Sequence, residues 1–129
     1  MSEENVEVVR SIFAPWAEGD FSSADWADPE IEFRNIAQRA EAHGVAAMTK
    51  QWREWLTAFE HFSSHPEEYL DAGDSVLVMT RFLGTGKGSD APISDFQGAC
   101  LFTLRGGKVV RLFLFTDRHK ALEAVGLSE

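Results

Sequence analysis

Asp117 stands where the apolar run Val109–Thr116 gives way to a short helical pattern over 118–125. A carboxylate at that junction has two uses. At the rim of an apolar cavity its charged form is disfavoured, which makes it a base usable near neutral pH. At a helix start it accepts hydrogen bonds from unpaired N–H groups, and Asp is a preferred residue there. Asn35 and Arg81 are two further polar residues, each on a predicted strand among apolar neighbours. Cys100, the only cysteine, sits mid-strand with no Cys–His arrangement around it and reads as a small buried hydrophobe. His61 and His65 lie four apart, a metal-binding spacing on a helix. They fall at the expected fraying end before Pro66 with no third ligand, and read as surface residues. His43 opens the second long helix. Gly84-Thr-Gly-Lys-Gly-Ser lacks the spacing of a phosphate loop and opens no helix, so it reads as a hairpin tip. No metal or other cofactor is expected.

The elements that position these groups follow from periodicity. Val6, Val9, Phe13 and Trp16 recur at helical spacing, widened by Ile12 and Ala17, and predict a helix over 4–18. Gly19 stops it, and Pro15 should kink or shorten its last turn. A short second helix is predicted over 21–27, capped by Ser22 or Ser23. Glu30–Asn35 alternates as a strand, with Ile31, Phe33 and Asn35 on one face. Residues 44–59 form a long helix whose stripe is Val45, Met48, Trp52, Trp55, Leu56 and Phe59. Strands follow at 67–71, 75–83, 93–104 and 109–116, with hairpin signals at Ala72-Gly73-Asp74 and Gly106-Gly107. Residues 118–125 close the chain as a helical turn before Gly126. No linker or repeat interrupts this order, so residues 1–129 make one α+β domain.

Val76-Leu77-Val78-Met79 and Leu112-Phe113-Leu114-Phe115 are apolar on both faces, which requires both faces of the sheet to be covered. With the helices on one face, the expectation is a symmetric homodimer through the other. The net charge of −9 argues against nucleic acid or an anionic membrane surface as partner. Most of it sits in residues 1–74, which carry 5 basic and 16 acidic groups and read as a solvated helical face. No apolar run reaches the length of a membrane span, and the first residues lack the pattern of a signal peptide. A cytoplasmic location is expected.

Four short motifs in this order resemble the nuclear transport factor 2-like superfamily and, within it, the SnoaL-like proteins. They are Gly19-Asp20, Asp28-Pro29-Glu30-Ile31-Glu32, Leu104-Arg105-Gly106-Gly107-Lys108-Val109, and Thr116-Asp117-Arg118 followed by Ala121 to Leu127. The resemblance implies a cone: a curved antiparallel sheet wrapped around three helices, with an apolar cavity open at one end. Trp16, Phe33, Met48, Trp52, Leu83, Cys100, Phe102 and Phe115 are its expected lining, and a small apolar metabolite its expected ligand. Similarity to SnoaL-like cyclases and limonene epoxide hydrolases implies Asp117 as the catalytic carboxylate, with Arg81 and Asn35 beside it. The hydrolase pattern is incomplete: Phe33 stands for its Tyr and Leu83 for its acidic Asp, so the proton donor to an epoxide oxygen is missing. A ketosteroid isomerase pattern would place its acid and base at Phe33 and Cys100, which cannot serve. Two expectations therefore stand: an acid–base catalyst centred on Asp117, and a non-catalytic binding module of the same fold.

Overall fold

The apolar stripe of the N-terminal segment becomes α1 (Ser2–Trp16), which buries Val9, Ile12, Phe13 and Trp16. A computed structural model describes residues 2–36, 40–57, 59–86 and 92–126. The side chains of Trp55 and Phe59 and the tip of the Gly84 hairpin, 87–91, lie outside that description. After α1 come β1 (Ala27–Asn35), β2 (Ala40–His43), α2 (Val45–Leu56), β3 (Phe59–Ala72), β4 (Ser75–Gly86), β5 (Pro92–Arg105), β6 (Lys108–Phe115) and α3 (Arg118–Ala124). The strands form one open, curved sheet in the order β2-β1-β6-β5-β4-β3. The expectation of an antiparallel sheet holds for every pairing except β1 with β6, which is parallel. A parallel neighbour needs a long crossover, and the whole of α2 and the meander supplies it.

Strand alternation divides the apolar residues between two cores. Ile31, Phe33, Val76, Val78, Phe82, Cys100, Phe102 and Leu112 meet α1 and α2 on the inner face. Leu77, Met79, Ala99, Leu101 and Phe115 pack with Ala121, Leu122 and Val125 of the α3 region on the outer face. This corrects the premise of the expected dimer. The helices do not all lie on one side: α3 covers the outer apolar strip with the same chain.

Two other expectations change. Residues 21–24 form no helix, because Asp20 Oδ1 accepts from both the backbone N–H and the hydroxyl of Ser22 (3.0 and 2.6 Å), a local turn that competes with helical bonding. The helix predicted to 59 ends at Leu56, and His61 and His65 belong to β3. β3 is an edge strand, and Pro66 sits at a register shift between Pro66 and Glu68, where a missing N–H is tolerated. The four-residue β2 was not predicted.

α3 is tied down by its own first residue, Arg118, which reaches into the sheet it covers. Arg118 Nε donates to Gly98 O (3.0 Å), and its Nη2 donates to Thr80 O (3.2 Å) and to Glu67 Oε1. Gly98 is required at its position: a Cβ there would stand 2.4 Å from Phe115 O. Beneath it Ser64 and Thr80, both fully buried, satisfy one another through a 2.8 Å hydroxyl contact. Among the described residues no helix is long and apolar enough to cross a membrane.

Candidate functional site

The inner face, where the resemblance implies a cavity, is filled by aromatic rings. Trp52 packs against Trp16 (5.5 Å between centroids), Trp26 (5.8 Å) and Phe33 (5.9 Å). Phe102 meets Phe13 (5.7 Å) and Trp16 (6.1 Å). Of the expected lining, Trp16, Phe33, Met48, Trp52, Cys100 and Phe102 thus come together as one core. Phe115 belongs to the opposite core under α3, because it alternates with Leu114 on β6. Leu83 borders a separate surface depression shared with Ala17, His61 and Thr85. Burial pushes the Cys100 thiol far up, so it stays protonated and inert as expected of a buried cysteine.

Open volume lies instead at the surface, where one cleft of about 570 Å³ is ringed by charged residues, among them Glu30, Glu32, Glu41, Arg105 and Arg111. Another of about 570 Å³ runs between the Gly19–Ser22 turn, one stripe of α2, and Phe62 of β3. Gly19 makes the turn possible: its φ is 83°, and a Cβ there would sit 3.2 Å from Phe62 O. The turn lays Phe21 against Phe62 (5.8 Å) and Trp16 (5.5 Å). α2 contributes Thr49, Trp52, Arg53 and Leu56, an i, i+3, i+4, i+7 set that necessarily shares one face. The walls are therefore aromatic and aliphatic, with Asp20, Ser22, Thr49 and Arg53 as polar members. Asp20 is a poor base, since the hydrogen bonds from Ser22 hold its carboxyl below the usual range. A smaller cleft of about 360 Å³ shares Asp20 and is walled by Trp16 and Trp26.

The three expected catalytic residues are placed apart. Asp117 caps α3, its Oδ1 accepting from the N–H groups of His119 (2.9 Å) and Lys120 (3.4 Å), and the residue is exposed. Arg81 is exposed and alternates with Met79 onto the outer face, where its charge acts on Glu67. Asn35 follows Phe33 onto the inner face of β1. Two strands lie between β1 and β4, a separation of roughly 14 Å at ordinary strand spacing. The two residues thus lie on opposite faces of the sheet. The histidines are likewise dispersed: His43 faces Glu30 (3.3 Å), and His65 Nε2 contacts Ser63 Oγ (2.8 Å). Among the described residues no group of His, Cys, Asp or Glu could hold a metal ion. The cleft residues Thr49 and Arg53 escaped sequence reasoning because they are polar positions flanking an apolar stripe. Their spacing around Trp52 and Leu56 is the signal that could have found them.

Comparison with known proteins adds the relationship. A family model described as a SnoaL-like domain matches residues 9–112, from α1 into β6. Among solved structures, a proposed SnoaL-like polyketide cyclase from Jannaschia sp. CCS1 superposes with a TM-score of 0.76 at 21% identity, covering 99% of this chain and 95% of that one. A protein with a ketosteroid isomerase-like fold from Catenulispora acidiphila, in complex with trimethylamine, gives 0.74 at 19%, covering 94% and 93%. A nuclear transport factor 2-like protein from Burkholderia pseudomallei gives 0.76 at 13%, covering 95% and 98%. At these identities the likeness establishes the fold. No match was found among curated proteins.

Proposed function

We propose, from the premise that this chain belongs to the SnoaL-like domain family, that it binds a small, largely apolar and flat metabolite in the cleft between the Gly19–Ser22 turn, α2 and Phe62. The carrying observation is the cleft itself: about 570 Å³ between the rings of Phe21, Trp52 and Phe62, with Thr49 and Arg53 beside them. That volume suits a molecule of two or three fused rings, and aromatic walls with few polar groups are the usual make-up of a small-molecule site. A polyketide-type compound is consistent with it, given the proposed activity of the Jannaschia protein. Binding without acid–base turnover by Asn35, Arg81 and Asp117 is the reading the geometry favours. Those residues sit on different faces, and Asp117 is committed to α3.

The test is isothermal titration with 1-acetonaphthone, a two-ring aromatic ketone. Thr49→Trp places a bulky ring on the exposed turn of α2 and fills the cleft. It should weaken binding at least tenfold while the far-ultraviolet spectrum stays that of the parent. Asp117→Asn, which retains a capping side chain, should bind as the parent does. Equal binding by the parent and Thr49→Trp would place the ligand elsewhere.

A further inference from the structure

Trp52 is 8% exposed, and its indole Nε1–H is shielded from solvent with no hydrogen-bond partner among the described residues. Buried donors are almost always paired, so one left over calls for an explanation. The neighbouring Trp26 shows the ordinary solution, its Nε1 donating to Ser23 O at 3.0 Å. Trp52 is different in that its ring is wedged among Trp16, Trp26 and Phe33 while the residue also walls the cleft. The polar neighbours along the cleft are bonded to other groups than the indole: Asp20 Oδ1 accepts from both donors of Ser22, and the Thr49 hydroxyl donates to Ala46 O (3.1 Å). Arg53, next on the same stripe, offers only donors.

A cleft with unspent donors and flat apolar walls selects for a ligand that brings acceptors. We infer that Trp52 is the specificity-determining donor of this cleft, giving its indole N–H to a carbonyl or phenolic oxygen on a flat aromatic ligand. This rests on the cleft being the binding site. Because Nε1 is covered, the indole must shift against Trp26, with which it stacks at 30° between planes, to make the bond. Arg53 is placed to meet a second oxygen or an anionic group on the same molecule.

Proton and nitrogen magnetic resonance of the indole groups tests this, with 1-acetonaphthone and the matched hydrocarbon 1-ethylnaphthalene as probes. The four tryptophan indole signals are assigned through their own backbones. The ketone should move the Trp52 indole proton downfield and the hydrocarbon should not. The parent should prefer the ketone by about tenfold, the effect of one net hydrogen bond. Trp52→Phe should lose that preference while still binding the hydrocarbon. If both probes bind the parent and leave the Trp52 indole unmoved with equal affinity, the donor role is wrong and the cleft reading stands. If neither probe perturbs any amide of 19–22 or 49–56, the cleft reading fails and this inference with it. The indole signal is read in the parent protein, so it decides the matter even where Trp52→Phe fails to fold.

Discussion

Asp117 supplies the first turn of α3 with acceptors that the short helix cannot provide for itself. Replacing it with Ala removes a cap worth about 1 kcal/mol, whereas Asn retains most of that value. Thermal unfolding should therefore show Asp117→Ala melting below the parent and Asp117→Asn close to it, with ketone binding unchanged in both. A selective loss of binding in Asp117→Asn, at unaltered stability, would return Asp117 to the site. The residue's chemistry was legible in the sequence as two alternatives, base or cap. Type and position alone could not choose between them, because an Asp ending a strand before a helix satisfies both descriptions. The bonds to His119 and Lys120 establish the cap.

At the scale of elements, α3 is held by a charge cluster rather than by a long apolar face. The Arg118 hydrogen bond holds the Glu67 carboxyl below its ordinary value of 4.5, with the Arg118 charge, Gln97 and the Arg81 charge adding to the effect and partial burial opposing it. A carboxylate with a depressed folded pKa adds stability that is complete above its unfolded value and is lost as pH falls through the folded one. The α3 attachment should accordingly loosen only below pH 4.5. Hydrogen exchange at 121–124, corrected for intrinsic rates, should rise there relative to β5, and Glu67→Gln should remove the pH dependence. An α3 that stays equally protected through that range would show that the apolar contacts of Ala121 and Leu122 hold it unaided.

Periodicity found the long elements at this scale and missed where context overrides it. α1, α2, β1 and the three meander strands were readable because their apolar residues repeat at 3.6 or 2. β3 was misassigned in its first half because Phe59 continues the α2 stripe and Pro66 looks like a terminator. An edge position, which no local pattern reveals, is what lets a proline stand inside a 14-residue strand. The turn at Asp20–Ser22 was misread for a related reason: a serine that could cap a helix is instead consumed by the preceding carboxylate.

Over the whole molecule, the fold was legible in the sequence, while the packing of its interior was not. Order of elements, hairpins and short motifs sufficed for a SnoaL-like cone. The interior of that cone was expected to be hollow, yet three tryptophans and Phe102 meet there with centroid separations of 5.5 to 6.5 Å. A sequence lists large apolar residues without saying whether they line a space or occupy it. Here they occupy it, and open clefts lie at the surface, one of them between the Gly19–Ser22 turn and the polar-edged stripe of α2. The outer face was expected to be buried against a second copy; α3 covers the part of it formed by Leu77, Met79, Ala99, Leu101 and Phe115.

The most direct test of this account is a crystal structure of the protein with bound 1-acetonaphthone. The account predicts the ketone between Phe21, Trp52 and Phe62, its oxygen toward the indole of Trp52 or the guanidinium of Arg53, with the interior rings still packed. A ketone found among Phe33, Cys100 and Phe102, with Trp16 or Trp26 displaced, would contradict it and restore the interior as the binding site.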